Sequence, residues 1–151
     1  MRVLFNQSNK EYKDLAYDPG RSHCTPADVL LQLQVKERLT AIFRRHGAVE
    51  IDRTALFPRS RFYSGNVVEL LDPTGTLLQL PFDLTLPYAR ALAKEEPAAP
   101  KTFTFGTVYR ENPAGGQPFH HAEVDFDIVS FDSLDLALKE AEVVKVIDEG
   151  Q

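Results

Sequence analysis

The chain has 151 residues, and with 43% hydrophobic and 10% aromatic residues it can bury a core, which excludes general disorder. Its formal net charge of −5 at pH 7 argues against a general nucleic-acid binder, although a local basic site stays compatible with it. The single Cys24 gives no disulfide framework, and no His/Cys pairs stand at metal-ligand spacing, so we expect no metal and no cofactor. No apolar run approaches the roughly 20 residues of a membrane span, and residues 1–10 lack a signal-peptide pattern. We therefore expect a cytoplasmic protein without a membrane partner.

Residues 1–24 are predicted to form an N-terminal extension that contains a turn. A helix follows, because Thr25 is a suitable N-cap and Pro26 suits the first helical position. Gly47 ends this helix after the basic triplet 44–46, which we interpret as compensation of the helix dipole. The apolar residues of this helix recur at helical spacing and predict its core-facing stripe. They are Leu31, Val35, Leu39, Ile42 and Phe43.

The middle of the chain reads as a short strand, a hairpin and a second helix. The phrase Asp72-Pro73-Thr74-Gly75 is typical of a type I turn followed by a left-handed glycine, which places the hairpin around it. The element bounds that the pattern predicts are residues 49–51 for the strand, 66–71 and 76–80 for the hairpin, 84–94 for the helix and 95–100 for a surface linker.

Two long antiparallel strands are predicted over 101–109 and 123–131, with a Gly- and Pro-rich loop between them at 111–121. In the second strand Val124, Phe126 and Ile128 alternate with Asp125 and Asp127, so one face is apolar and the other acidic. A final helix is predicted over 134–149. Its predicted core face consists of Leu138, Val143, Val144 and Ile147. Runs of β-structure flanked by helices indicate an α+β fold on an antiparallel sheet.

Four phrases carry a resemblance to a known family. They are Ile42-Phe43-Arg44-Arg45-His46-Gly47-Ala48, Leu56-Phe57-Pro58-Arg59, Leu80-Pro81-Phe82-Asp83-Leu84 and Phe126-Asp127-Ile128. On these phrases the chain resembles the catalytic core of class II aminoacyl-tRNA synthetases of the histidyl type, over roughly residues 25–149. More narrowly, it looks like the histidyl-tRNA-synthetase-like domain of the stress kinases called general control non-derepressible two. Those kinases phosphorylate the α subunit of translation initiation factor two.

The resemblance implies a partial synthetase core over 25–151, in which the third motif and the anticodon-binding part are absent. It therefore also implies a fragment of a larger protein. Pro81 stands where the enzymes have an arginine, and Thr54 falls near the usual proline of the first motif. Arg110 matches the second-motif arginine that grips the α-phosphate of ATP and the amino-acid carboxylate. The glutamate expected two residues later aligns with Asn112 or, with a gap, with Glu111. The family glutamine falls on Glu123, and Asp127 matches an acidic residue that faces the substrate.

The resemblance implies a catalytically inactive regulatory domain that binds uncharged tRNA, forms a homodimer and contacts other domains of a serine/threonine kinase. Its candidate tRNA-binding residues are Arg110, Asn112, Gln117, His120 and His121. Its vestigial amino-acid and ATP pocket would consist of Pro81, Asp83, Thr85, Arg110, Glu123 and Asp127. Two alternatives stay open. The chain is a fragment of an active histidyl-tRNA synthetase, or it is a dimerisation or scaffold module that does not bind RNA.

Each candidate residue also has a plain structural interpretation. Asp83 or Thr85 can cap the following helix instead of holding an α-amino group. Arg110 can form a salt bridge with Glu111 or Asp125 instead of binding ATP or the tRNA acceptor end. The adjacent histidines can be solvated polar residues instead of RNA contacts or a pH-sensitive pair. Asp125 and Asp127 can keep an exposed strand face soluble instead of sharing a proton for acid–base chemistry.

Overall fold

The computed structural model describes residues 25–63, 65–130, 132 and 135–150. The predictions for the N-terminal extension and the start of the last helix lie outside these residues. The second long strand was predicted to reach residue 131, but it ends at Ile128, and residues 129 and 130 are not part of it. Within them the chain forms three helices and six strands. In chain order they are α1 (Pro26–Arg45), β1 (Val49–Glu50), β2 (Phe57–Pro58), β3 (Glu69–Leu71), β4 (Leu77–Gln79), α2 (Thr85–Leu92), β5 (Lys101–Arg110), β6 (Phe119–Ile128) and α3 (Leu136–Gly150).

The first helix begins and ends where its capping residues predict. The Thr25 hydroxyl accepts a hydrogen bond from the Asp28 backbone N–H at 3.2 Å, and the Asp28 carboxylate accepts one from the Thr25 N–H at 2.8 Å. These reciprocal bonds form a capping box. The bonds that the Asp28 carboxylate accepts from the Thr25 N–H and hydroxyl lower its pKa. Gly47 follows the helix with φ +77°, the left-handed conformation that stops a helix with least steric cost.

The strands form two three-stranded sheets. In the larger sheet the order is β1-β5-β6, with β1 parallel to β5 and β5 antiparallel to β6. In the smaller sheet the order is β2-β4-β3, with both pairs antiparallel. The α+β prediction is confirmed, and the parallel β1 is an addition to the antiparallel sheet that we expected. The predicted turn also closes the β3–β4 hairpin, in which Gly75 has φ +86°.

Strand β6 begins earlier than its sequence predicts. Its register with β5 runs without a break from Lys101 opposite Ile128 to Arg110 opposite Phe119. The connecting loop is therefore 111–118, and His120 and His121 lie in the strand rather than in the loop. The loop prediction was too long because the histidines have no strong strand propensity of their own, and pairing with β5 decides their conformation.

One face of the larger sheet packs against α1 through aromatic rings. The Phe43 ring centroid lies 5.0 Å from that of Phe103 and 5.2 Å from that of Phe126. The buried residues of this core are Ile42, Phe43, Ala48, Phe103 and Val146. Helices α1 and α3 thus cover one face of the sheet and leave its other face to α2 and the loops.

The predicted core faces of both long helices are partly wrong. In α1 only the C-terminal part of the stripe is buried, whereas Leu31 is 58% exposed and Val35 is 47% exposed. In α3 the buried residue is Val146, while Leu138, Val144 and Ile147 are exposed. Helical spacing finds an apolar stripe, but the length of the partner element decides how much of that stripe is covered.

Polar contacts complete the packing of α3 against the end of α1. Arg45 donates to the Glu149 carboxylate at 2.9 Å, and the two ring nitrogens of His46 lie 3.2 Å from Glu142 and 3.4 Å from Glu149. The Lys101 ammonium from β5 also contacts Glu142 and lowers the pKa of that carboxyl. Arg45 and His46 of the basic triplet therefore bind the neighbouring helix, in addition to lying at the negative end of their own helix.

Candidate functional site

Three carboxylates line the face of the larger sheet that points away from α1. Glu123, Asp125 and Asp127 are two residues apart in β6 and therefore share one side of the strand. Across β5 they lie opposite Gly106, Thr104 and Thr102, respectively. We refer to these three carboxylates as the acidic face.

Arg53 neutralises most of the acidic face. It donates from Nη1 to Asp125 at 2.6 Å and from Nη2 to Asp127, and a third bond goes to the Leu84 carbonyl. Its side chain is only 5% exposed. Burial, followed by the charge of Asp125, raises the pKa of Asp127, and the Arg53 guanidinium opposes that shift. The two aspartates are therefore a paired, partly buried cluster rather than an exposed solubilising face.

Helix α2 approaches the acidic face from one side. The Thr85 hydroxyl donates to Asp125 at 3.1 Å, and the Tyr88 ring lies 4.4 Å from the Arg53 guanidinium. This close approach depends on Gly106, because a Cβ there would meet the Leu84 side chain at 2.6 Å. The glycine therefore positions the start of α2, and with it Thr85, over the strand pair.

Asp83 has two roles at the start of α2. Its Oδ1 accepts a hydrogen bond from the Leu86 N–H at 2.8 Å, which caps the first turn, and its Oδ2 accepts one from the Tyr63 hydroxyl. Burial and the bond to Asp83 raise the pKa of the Tyr63 phenol well above its ordinary range. The charges of Arg110 and Glu123 also act on Tyr63, so these four groups gather at one end of the acidic face.

Arg110 is held by the segment that precedes α2. Its guanidinium lies 3.6 Å from the centre of the Phe82 ring, and its Nη1 donates to the Phe82 carbonyl and to the Tyr109 carbonyl. Asp125 pairs with Arg53 rather than with Arg110. The backbone N–H of Tyr109 donates to the Pro81 carbonyl at 2.8 Å, which joins the same two segments.

The loop 111–118 lies next to Arg110. Asn112 shapes it from within, because its side-chain oxygen accepts from the Ala114 N–H at 3.0 Å and its side-chain nitrogen donates to the Gln117 carbonyl at 3.4 Å. Gly115 and Gly116 have φ of +78° and +88°, so the tight turn needs residues without a Cβ.

The predicted tRNA-binding residues do not all share one surface. His121 lies opposite Val108, two residues before Arg110 in β5, so it is on the same sheet face as Arg110. His120 lies opposite Tyr109 on the other face, with its ring centroid 6.2 Å from that of Tyr109. The structure thus brings Arg110 and His121 to one face and separates the two adjacent histidines.

The predicted pocket residues lie around the acidic face, but sequence reasoning missed three side chains that complete it. Arg53, Tyr63 and Tyr88 provide its buried cation, a partly buried phenol and an aromatic wall. Arg53 and Tyr63 lie in irregular segments without periodicity, and Tyr88 reads as an ordinary core residue of α2. Their positions had no sequence signal beyond residue type.

Two other kinds of site are absent from the residues that the structure describes. In that part of the chain no group of three or more His, Cys, Asp or Glu side chains is placed to hold a metal ion. No described helix has both the length and the apolar character needed to cross a membrane.

The amino-acid sequence is similar to known proteins over most of the chain. The eIF-2-alpha kinase GCN2 of Schizosaccharomyces pombe is 39% identical over 160 residues, which covers 99% of this chain and 10% of the kinase. The cytoplasmic histidine–tRNA ligase of Takifugu rubripes is 31% identical over 140 residues, covering 86% of this chain and 26% of the ligase. The chain thus spans about a tenth of the length of this kinase. No family model matches the chain.

Solved structures have the same fold at low sequence identity. The ATP phosphoribosyltransferase regulatory subunit/histidyl-tRNA synthetase from Bacillus halodurans superposes with a TM-score of 0.73 at 22% identity, covering 88% of this chain and 36% of that one. This chain therefore has the class II synthetase fold of the histidyl type. The sequence match to GCN2 covers almost the whole of this chain. The chain therefore belongs to the histidyl-tRNA-synthetase-like domains of the GCN2 eIF-2-alpha kinases.

Proposed function

We propose that this chain is a catalytically inactive, synthetase-like regulatory domain of a serine/threonine kinase that phosphorylates the α subunit of translation initiation factor two. In this proposal the domain works in the cytoplasm, binds uncharged tRNA during amino-acid starvation, and passes that signal to other domains of the same kinase. The supporting observation is the match to GCN2 kinases over 99% of the chain, together with an acidic face that its own Arg53 already occupies.

The proposed inactivity has two physical supports. Pro81 is buried, carries no charge and has no N–H to donate, so it cannot supply the cation that the enzymes place at this position. Arg53 is the second support, because its guanidinium engages Asp125 and Asp127 from inside the protein. A substrate that needs those carboxylates would have to displace an ion pair whose cation is only 5% exposed.

The proposed RNA contact centres on Arg110, His121 and the loop 111–118. A cation beside a loop with exposed backbone suits contacts with RNA phosphates, which need charge and N–H donors rather than a large basic surface. This location also fits the net charge of −5, because a local site does not require a basic protein. Asn112 then acts by shaping the loop, since its side chain is already hydrogen-bonded within it.

The proposed dimer uses the apolar surface that α1 and α3 leave uncovered. In α1 the exposed residues include Leu30 and Leu31, both 58% exposed, and in α3 they include Leu138 at 71%. Large apolar side chains that stay exposed on a helix are candidates for a protein–protein interface. The same surface supports the second candidate function, a dimerisation or scaffold module that does not bind RNA.

Titration with deacylated tRNA distinguishes the two functions. We expect fluorescence anisotropy to report binding that weakens between about 50 and 200 mM salt, because each phosphate contact releases counterions. Absence of tRNA binding, with dimers still present in sedimentation, would favour the scaffold function instead. Histidine adenylation by the full-length protein would contradict the proposed inactivity and support the active-synthetase alternative.

A further inference from the structure

Arg53 lies in a binding site that three other elements build around it. Its nitrogens donate to Asp125 and Asp127 of β6 and to the Leu84 carbonyl before α2. The Tyr88 ring of α2 lies 4.4 Å from the guanidinium carbon. The group therefore meets two anions, one carbonyl and one aromatic face, and its side chain is 5% exposed.

Arg53 does not pair all of its hydrogen-bond donors in this site. Its Nε is buried and has no hydrogen-bond partner among the described residues. A guanidinium has five N–H donors in one plane, and buried donors are normally paired. Arg53 thus places its Nε–H where no described residue accepts it, whereas its two Nη groups are well matched.

We propose that Asp125, Asp127, the Leu84 carbonyl and the Tyr88 ring form a binding site for a planar organic cation of the guanidinium type, which Arg53 fills as an internal ligand. The site is closed to small cations while Arg53 is in place. Residues 52–56, which carry Arg53, belong to neither sheet, so the side chain can leave without breaking strand pairing.

The geometry favours a guanidinium over an ammonium group. Two different nitrogens of Arg53 donate to two different carboxylates. An ammonium group has one nitrogen and cannot reproduce this pair of separate donors. The Tyr88 face favours a delocalised and weakly hydrated cation. Burial and the neighbouring Asp125 charge raise the pKa of Asp127, so this pair of carboxylates is stabilised by a cation.

The test uses Arg53→Ala with methylguanidinium chloride as the probe and methylammonium chloride as the non-planar control. The substitution leaves two partly buried carboxylates unpaired, and we expect Tm to fall by roughly 6–20 °C. Methylguanidinium should raise the Tm of the variant by roughly 3–6 °C at ten times its Kd. Methylammonium should raise the Tm of the variant no more than sodium chloride does. Methylguanidinium should not raise the Tm of the wild-type chain.

A second variant separates specific binding from a general salt effect. Arg53→Ala combined with Asp125→Asn and Asp127→Asn removes the anions of the site, and methylguanidinium should no longer stabilise it. If Arg53→Ala is unfolded at the assay temperature, recovery of its circular dichroism on adding methylguanidinium is the supporting result. The proposal is overturned if methylguanidinium neither stabilises Arg53→Ala nor restores its circular dichroism. It is also overturned if methylammonium stabilises Arg53→Ala equally, or if methylguanidinium stabilises the wild type or the triple variant equally.

Discussion

The guanidinium of Arg110 stacks on the ring of Phe82, with 3.6 Å between the guanidinium carbon and the ring centre. Both hydrogen bonds that Arg110 makes to the described residues come from Nη1, so its other nitrogens are not used within that part of the chain. The residue that precedes Phe82 is Pro81, where the resemblance leads one to expect an arginine. The segment that contains Pro81 and Phe82 therefore holds Arg110 in place.

Arg110→Ala is expected to weaken tRNA binding and to lower the slope of log K against log salt by about 1. The reason is that one phosphate contact, and the counterion it releases, is lost. Anisotropy titrations at several salt concentrations measure the slope. Arg44→Ala, an exposed arginine on α1, is the control and should leave the slope unchanged. An unchanged slope for Arg110→Ala would rule out its proposed contact with RNA.

The domain is expected to show no histidine binding in isothermal titration calorimetry. Pro81 supplies no cation for a carboxylate, and Asp127 is already paired with Arg53. An active histidyl-tRNA synthetase measured under the same conditions is the positive control. A micromolar Kd for this chain would contradict the proposed loss of the amino-acid site.

Gly106→Ala is expected to destabilise the protein by about 1–3 kcal/mol through overpacking. The added Cβ would lie 2.6 Å from a methyl carbon of Leu84, which has to move and take the start of α2 with it. Gly65→Ala is the matched control, because nothing lies within 4 Å of its Cβ position. Urea unfolding measures the free energy of unfolding of both variants. Equal values for Gly106→Ala and Gly65→Ala would show that Leu84 moves aside without an energetic cost.

The packing of α3 is expected to weaken at acid pH. The hydrogen bond from Lys101 lowers the pKa of Glu142 below its ordinary 4.5, so ionised Glu142 stabilises the fold above that value. This contribution is lost as the pH falls below 4.5 and through the lowered pKa of the folded state. Tm measured from pH 7 downwards should fall less steeply for Glu142→Gln than for the wild type. Glu140→Gln, an exposed position on the same helix, should follow the wild type.

Leu30→Glu combined with Leu31→Glu is expected to convert a dimer into a monomer in sedimentation velocity. Both side chains are 58% exposed, and burying a charge in an apolar interface is unfavourable. Leu71→Glu in β3, which is 72% exposed in the smaller sheet, is the control and should leave dimers intact. A wild-type chain that is strictly monomeric at high concentration would exclude this dimer surface.

Local chemistry alone determined several parts of this fold. Thr25 and Asp28 fix the start of α1, and the turn before Gly75 fixes the hairpin, because each depends on hydrogen bonds between residues at most four apart. The alternation of Asp125 and Asp127 with apolar neighbours likewise predicted one acidic face. The resemblance pointed to Asp83, Thr85 and Arg110, which the structure places near that face.

Only the tertiary structure decided which side chains contact the acidic face and how far the strands extend. Arg53 is 72 residues from Asp125 in the chain, and no periodic pattern links them. His120 and His121 are neighbours in sequence, yet pairing with β5 places them on opposite sides of the sheet. Val146 is buried in the core with Ile42 and Phe43, whereas Val144 on the same helix is exposed. Contacts between distant segments depend on how the elements pack, and a local sequence pattern does not contain that information.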